Sequence, residues 1–229
     1  MSNPTSNFNW QMPTNTDLVS ALPADFEVFG QAVDTSLADL KGGTTGQVLA
    51  KATNTDMDFT WSNAGGGAYV FIKKVDFTTA STIDFSDSFS STYDHYCLQG
   101  TLTSSADGDL NFRWRVSGSD NSSTNYNYQL ADIVNASANN ARVTGQTAGR
   151  FAATRTSSGR TSLKVELFNP FKTETKNWVG HAAVQVTTDV YINQISGGFN
   201  DNTSFTGMTI YPSTGTVSGT LRVYGYQNS

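Results

Sequence analysis

The chain has 229 residues, a formal net charge of -5, and a composition that is 37% hydrophobic but only 14% charged. Its aromatic content of 12% is too high for a disordered chain, and Lys, Glu and Leu are too scarce for a helical one. No stretch approaches the roughly 20 apolar residues of a membrane span, and residues 1–11 show no secretion signal. We therefore expect a mainly β protein without membrane insertion.

Charge divides the chain into two parts. Residues 1–64 contain seven acidic and two basic side chains, whereas the remaining residues contain 12 of each. The triplet at 65–67 is all glycine and favours flexibility, so we place a boundary there. The chain is expected to comprise an extended N-terminal anchor at 1–23, a helix and β stalk with a glycine linker at 24–67, and a β-sandwich head domain at 68–229. The first 40 residues contain no Lys or Arg, which argues against a nucleic-acid partner.

The stalk is predicted to begin with one amphipathic helix. Pro23 suits the first turn of a helix, and Asp25 and Glu27 lie where the helix dipole favours negative charge. Apolar residues then recur at helical spacing, until Gly42 and Gly43 end the pattern, at Phe26, Phe29, Val33, Leu37 and Leu40. We predict that this stripe is an oligomer interface, in a short coiled coil between copies of the chain. Docking of the stripe on the C-terminal domain is the alternative.

Residues 42–61 are the most specific part of the sequence. They read GGTTGQVLAKATNTDMDFTW, which predicts a short strand, an Asn/Thr/Asp turn and a second strand that ends in Trp61. This segment resembles the glycine-glutamine-valine-leucine to aspartate-x-x-tryptophan element of tail fibres and related virion proteins of tailed bacteriophages. Residues 16–19 and 29–34 also resemble the start of such fibres. In those families the segment lies in a stalk shared by three chains, so the resemblance implies a homotrimer.

From Ala68 onward the hydrophobic period changes from about 3.6 to 2. Tyr69, Phe71, Val75 and Phe77 are expected on one face of an extended run. Further strands are predicted at 96–101, 110–116, 126–130, 163–168, 179–187, 190–195, 206–211 and 216–226. Gly, Asn, Asp and Ser clusters separate these runs, and no amphipathic helix lies between them. The pattern indicates an antiparallel, jelly-roll-like β-sandwich and excludes a parallel α/β sheet.

The same region carries a second resemblance. Its residues lie at 83–85, 93–96, 107–116 and in the terminal SGTLRVYGY of 218–226. Together they resemble a β-rich domain common in phage structural proteins, which typically ends in a glycine, a β-branched residue, an apolar-basic-apolar triplet and a tyrosine-glycine pair. The chain departs from that pattern in its closing Tyr226 and in the polar loop at 200–203. The resemblance implies a virion structural protein.

No catalytic, cofactor-binding or metal site is predicted. His95 lies between aromatic residues, as packed or loop histidines do, and Cys97, the single cysteine, is interpreted as a buried small apolar residue. Asp107 and Asp109 flank a glycine in a turn, but a calcium loop needs further oxygen ligands at regular spacing. Glu166 and Glu174 are flanked by Lys164 and Lys172, which fits solvated strand pairs better than a glycosidase pair.

Arg113 and Arg115 leave two interpretations open. Both project from one face of a strand, opposite Phe112 and Trp114. They either lie on a solvated sheet face, or form ion pairs between chains, or create a site for an anionic glycan. Exposed aromatic residues could add stacking surfaces, but the sequence singles out no receptor-binding residue.

The combined interpretation is a homotrimeric virion structural protein. Its leading function is a tail fibre or tail-tip adhesin that attaches the virus to a bacterial surface, with a host surface glycan as a candidate ligand and the N-terminal arm bound to other virion proteins. A capsid decoration or head-fibre protein without receptor binding is the rival. A carbohydrate-active enzyme is disfavoured, because no pair of acids is arranged for hydrolysis. No cofactor is expected.

Overall fold

The computed structural model describes residues 4–63, 68–134, 137–156, 159–187 and 189–227. The chain divides into two compact units, Met1–Gly66 and Gly67–Ser229. The glycine triplet expected at the boundary lies outside the described residues. The described chain is mainly β, with antiparallel sheets and one short α-helix. The β class expected from composition and periodicity is therefore confirmed.

The helix α1 spans Leu22–Ser36 and begins with Pro23 in its first turn, as predicted. The apolar stripe predicts a helix through Leu40, but α1 ends at Ser36. Leu37 is the C-cap, with φ -101° and ψ 3°, and a separate 3₁₀ turn follows at Ala38–Leu40. Ser36 Oγ donates to the carbonyl oxygen of Ala32 at 2.9 Å, a side-chain hydrogen bond that competes with helix continuation. In the described chain, no helix has the length and apolar character to cross a bilayer.

The N-terminal segment folds back on α1. Phe8 and Trp10 stack with ring centroids 4.9 Å apart, and Trp10 meets the ring of Phe29 edge-on at 6.0 Å. Trp10 Nε1 also donates to Ser36 Oγ at 3.0 Å. Phe29 is therefore partly covered by the chain's own N-terminal segment.

A hairpin follows the 3₁₀ turn, and it matches the predicted strand, turn and strand. Strand β1 spans Gln47–Lys51 and pairs antiparallel with β2 at Phe59–Asn63. The turn at Ala38–Leu40 holds the hairpin, because Asp39 Oδ2 accepts a hydrogen bond from the backbone N–H of Phe59 at 3.1 Å. The 3₁₀ turn and the hairpin of this unit are therefore joined by a direct hydrogen bond.

The second unit consists of antiparallel strands. Their bounds are β3 Tyr69–Ala80, β4 Ile83–Phe85, β5 His95–Ser104, β6 Gly108–Val116, β7 Ser119–Asp120, β8 Tyr126–Val134, β9 Ser137–Gln146, β10 Gly149–Thr154, β11 Thr161–Phe168, β12 Lys176–Val186, β13 Asp189–Phe199, β14 Gly207–Pro212 and β15 Val217–Tyr226. An eight-stranded sheet has the order β3-β15-β5-β11-β12-β13-β8-β9. A five-stranded sheet has the order β10-β6-β14-β4, with β7 paired to β6.

One aromatic core lies between the two sheets. Phe112 of β6 and Phe151 of β10 stack at 4.0 Å, and Trp178 of β12 meets Phe112 edge-on at 5.0 Å. All three side chains are fully buried. Because Trp178 comes from the larger sheet and Phe112 from the smaller one, the inner faces of both sheets share this core.

Side chains from the larger sheet form hydrogen bonds with backbone groups of β10, which is an edge strand of the smaller sheet. Asn193 Oδ1 of β13 accepts the backbone N–H of Ala153 at 2.7 Å, and Trp178 Nε1 donates to the carbonyl oxygen of Arg150 at 3.2 Å. The guanidinium of Arg150 is almost fully buried and lies 2.9 Å from Asp109 and 3.3 Å from Asp132. These contacts close one side of the unit without a further strand.

The predicted face of β3 is correct for only half of the strand. Val75 and Phe77 pack against the core, whereas Tyr69 and Phe71 are 42% and 56% exposed. A register shift in the pairing of β3 with β15 lies between Phe71 and Val75. Such a bulge inserts one residue and moves all preceding side chains to the other face.

Candidate functional site

His95 and Cys97 do not form a catalytic pair. They lie two residues apart on β5 and share a face of the sheet. The ring of His95 packs against Phe168 at 5.2 Å, and Cys97 is fully buried. Burial, reinforced by the nearby Glu166 carboxylate, raises the pKa of the Cys97 thiol to about 11. The thiol is therefore protonated and inaccessible at neutral pH, as expected of a packed cysteine.

The two acids of the Asp107–Asp109 turn serve different structural contacts. Asp107 Oδ1 accepts hydrogen bonds from the backbone N–H of Thr156 at 2.7 Å and from its hydroxyl at 3.1 Å. These bonds lower the pKa of Asp107. Asp109 instead pairs with the buried Arg150. Within the described ranges, no three His, Cys, Asp or Glu side chains cluster as metal ligands would.

Glu166 and Glu174 are not brought together as an acid and base pair. Glu166 on β11 forms an ion pair with Lys164 at 2.8 Å and accepts a hydrogen bond from Tyr226 Oη. Glu174 lies in the loop before β12, where its backbone carbonyl oxygen accepts from Lys176 Nζ. Both glutamates belong to structural contacts.

Arg115 is engaged in an ion-pair network on the outer face of the smaller sheet. Its guanidinium lies 2.5 Å from Asp84 and 3.3 Å from Asp120, and it donates to Thr209 Oγ1 at 3.1 Å. Arg113 stacks over Tyr211 at 5.3 Å and donates to the carbonyl oxygen of Thr147 at 3.0 Å. Both guanidinium groups are thus engaged by residues of their own chain, which disfavours an anionic glycan site at this pair.

The apolar stripe of the first unit is largely uncovered. Phe26, Leu37 and Leu40 are 57%, 38% and 42% exposed, while Phe29 and Val33 are half-buried. No residue among the described positions 4–63 is buried. A segment with a helix and a hairpin but without a buried residue gains little stability from its own packing. The stripe is thus a candidate surface for association.

A second apolar surface lies at one edge of the larger sheet. We call it the aromatic edge, and it consists of Tyr69, Phe71, Tyr224 and Tyr226. Tyr224 meets Tyr69 and Phe71 edge-on at 6.3 and 5.8 Å, and the hydroxyls of Tyr69 and Tyr226 are 3.0 Å apart. Lys164 Nζ donates to Tyr69 Oη at 3.1 Å. The cluster is ordered by its own contacts, yet Tyr69 and Phe71 remain exposed.

A polar concavity lies at the opposite end of the same sheet. We call it the amide groove, and its side chains are Gln129, Asn140, Arg142, Gln194 and Ser196, from β8, β9 and β13. Its cavity volume is about 700 Å³. Arg142 lies directly opposite Gln129, and Gln129 opposite Ser196, so these three form one row across the strands.

The floor of the amide groove is Ala131. Asn140 is its neighbour on β9 and Gln194 its neighbour on β13. A short side chain between two longer amides leaves a depression on the outer face of the sheet. The edge strand β9 also contains a bulge, where Gly145 has φ +64° and its N–H donates to Asn127 Oδ1 at 3.0 Å. Bulges bend and twist a strand, which adds to the concavity.

Neither surface is predicted by the sequence pattern. Alternation places Tyr69 and Phe71 on the same face as Val75 and Phe77, because the bulge in β3 has no marker in the sequence. The amide groove includes β9, which reads as a polar Ser-Ala-Asn-Asn-Ala run without hydrophobic alternation. The only feature of the sequence that points to the groove is the high proportion of Asn, Gln and Ser near Arg142. These residues form a site only when the strands pair in their observed register.

The chain matches no protein-family model, no curated protein and no solved structure.

Proposed function

We propose that the chain is a homotrimeric structural protein of a virion, and that it acts as a tail fibre or tail-tip adhesin without enzymatic activity. The observation that carries this proposal is the contrast between the two units. Every buried residue of the described chain lies between Ile83 and Gly225, whereas the described part of the first unit exposes its apolar stripe. One unit is suited to association and the other to recognition.

Association of three copies gives the first unit the packing that one copy lacks. The helix α1 has 15 residues, close to the length at which isolated helices are marginal in water. Phe26, Leu37 and Leu40 would each move from water into a shared seam, at a gain of about 1–2 kcal/mol for each half-exposed side chain. The resemblance of residues 42–61 to three-chain stalks supports a trimer over other oligomers.

The second unit supports a role in binding. We propose that this unit has a jelly-roll-like arrangement and that it forms the head of the fibre. The histidine, cysteine and acidic side chains considered for catalysis are held in structural contacts. A rigid sheet with a polar concave surface on its outer face suits recognition of a ligand that it does not transform. The arm at 1–23 would attach the trimer to other proteins of the virion.

Binding of the full-length protein to host cells tests this function. Fluorescently labelled protein should bind susceptible cells and compete with infection, and it should not bind resistant cells that have lost the receptor. It should also leave surface polysaccharide at its original chain length. Protein that fails to bind cells, but coats empty capsids and raises their resistance to heat, would contradict the adhesin and support a capsid decoration protein.

A further inference from the structure

The polar side chains of the amide groove have no partner within the described chain. No side-chain hydrogen bond or ion pair engages Gln129, Asn140, Arg142, Gln194 or Ser196. Some exposed polar groups elsewhere on the unit are paired, such as Lys74 with Asp76 at 2.7 Å. The groove therefore presents free amide donors, free amide acceptors and a guanidinium around one depression.

Arg142, like Arg222 on β15, is an arginine on the outer face of the larger sheet that forms no ion pair among the described residues. Lys164 is neutralised by Glu166, and Lys74 by Asp76. Arg142 has no carboxylate within ion-pair distance among the described residues, and no acidic side chain lines the groove. A planar guanidinium without a partner is suited to pair with a carboxylate through two hydrogen bonds.

The groove is elongated. A second concavity of about 340 Å³ shares Gln129, Arg142 and Ser196 with it and continues to Thr144 and Asn200. Along β9, the four residue steps from Asn140 to Thr144 correspond to roughly 13 Å at the rise of a strand. Arg142 lies at the middle of this path. The shape fits a segment of a chain molecule better than a single small ligand.

We propose that the amide groove binds a segment of an acidic polysaccharide, with Arg142 paired to the carboxylate of a uronic acid and the flanking amides bonded to hydroxyl groups. Vicinal hydroxyls are donors and acceptors at once, and Asn and Gln side chains offer both. The inference rests on the proposed function and deepens it, since it names the site and the ligand class of the adhesin.

A peptide is the less suitable occupant. An extended peptide would add to the free edge of β9 and pair with its backbone groups. The amide groove instead opens on the face of the sheet, where a ligand meets side chains of three strands. Its walls are amides, a guanidinium and a hydroxyl, and its floor is Ala131. The exposed Ile133 and Ile192 on the same face are not part of its lining, so the groove itself offers no large apolar anchor for a peptide side chain.

Oligosaccharide binding by the full-length protein tests the inference. The probes are oligogalacturonate, oligoalginate and hyaluronan fragments, with a malto-oligosaccharide of equal length as the neutral comparison. We expect at least one acidic probe to bind, and binding to weaken with added salt. Arg142→Gln should lower its affinity roughly tenfold to a hundredfold and remove most of the salt dependence. Ala131→Tyr, which fills the floor, and Gln194→Ala should also weaken binding.

Matched controls come from the same sheet face. Arg222→Gln on β15 and Gln185→Ala on β12 change the same residue types outside the groove and should leave affinity unchanged. Equal binding by all three groove variants would overturn the inference, as would preference for the neutral probe or no binding to any acidic probe. If the wild-type protein and the groove variants bind cells equally, the adhesin function is supported but the amide groove is not its binding site. If acidic probes bind in the groove but the protein does not bind cells, the groove is a polysaccharide site but the adhesin function is contradicted.

Discussion

Trp61 Nε1 donates a hydrogen bond to the carbonyl oxygen of Lys41, 3.1 Å away, across the connection between the 3₁₀ turn and the hairpin of the first unit. The indole ring lies over Gly43, where an added Cβ would come within 2.7 Å of the ring. Gly43 also has φ +82°, a conformation that other residues rarely adopt. Gly43 and Trp61 of the 42–61 segment therefore pack against each other.

Replacing Gly43 with alanine should loosen the hairpin. The new methyl group must displace the Trp61 ring, and the left-handed backbone adds strain of about 1 kcal/mol. Hydrogen exchange measured by mass spectrometry should become faster over 39–63 and stay unchanged in the second unit. Gly30→Ala is the control, because a Cβ at Gly30 has nothing within 4 Å and the site lies inside α1. That variant should be neutral or more stable by up to about 1 kcal/mol. Equal exchange in both variants would contradict the role of Gly43.

Replacing Lys176 with methionine should destabilise the second unit. The Lys176 side chain is fully buried, and its ammonium donates to the carbonyl oxygens of Glu174 and Lys172, the latter at 2.7 Å. Methionine would leave these acceptors without a donor, at a loss of about 2–4 kcal/mol in the free energy of unfolding. Denaturant unfolding measures the change. Lys172→Met removes an exposed lysine paired with Asp94 at 2.8 Å and should cost less than about 1 kcal/mol. Similar losses in the two variants would contradict the buried-ammonium interpretation.

The thiol of Cys97 should be unreactive in the native protein. The pKa of the thiol is raised from the usual value near 9 to about 11. Between pH 9 and pH 11 the thiol is therefore protonated in the folded protein and ionised in the unfolded chain. This contribution to stability is complete below pH 9 and decreases as the pH rises toward 11. Alkylation by iodoacetamide at pH 8 should require denaturant, and Cys97→Ala should reduce the loss of stability between pH 9 and 11. Rapid stoichiometric alkylation of the folded protein would contradict the buried position.

Hydrophobic alternation predicted the strands that have one apolar and one polar face. It did not predict strands whose two faces are equally buried or equally exposed. β6 alternates Leu110, Phe112 and Trp114 with polar residues, and it was predicted almost to its bounds. β10 is buried along its whole length, so Gly-Arg-Phe-Ala-Ala-Thr shows no alternation, and β9 is exposed along nearly its whole length. Neither strand has a period of 2 to detect.

The candidate site depends on strand register, which the sequence does not encode locally. Gln129 and Ser196 are adjacent only because β8 pairs with β13, and Ala131 becomes a floor only because it lies between Asn140 and Gln194. Ion pairs between strands could not be predicted from the sequence for the same reason. Asp109 was weighed as a metal ligand, while its partner Arg150 lies on a strand that the pattern did not predict.

The fragment 68–229 is expected to fold without the first unit. Every buried residue of the described chain lies within it, and so do both sheets of the core. It should give a β-type circular dichroism spectrum and a cooperative thermal transition with a midpoint close to that of the same unit in the full chain. A fragment that is unfolded, or that melts without cooperativity, would mean that the first unit contributes to the core.

Charge in the apolar stripe should dissociate the proposed trimer. Light scattering on the full-length protein should give the mass of three chains at micromolar concentration. Leu37→Asp with Val33→Asp would place three pairs of carboxylates in one seam, where desolvation and mutual repulsion oppose association. The variant should therefore shift to the mass of one chain. Lys51→Asp on the exposed face of the hairpin also introduces an acid into the first unit, but away from the stripe, and it should leave the trimer intact. A wild-type protein of one chain would contradict the trimer, and a trimer that survives both substitutions in the stripe would assign the seam to another surface, for which the aromatic edge is the next candidate.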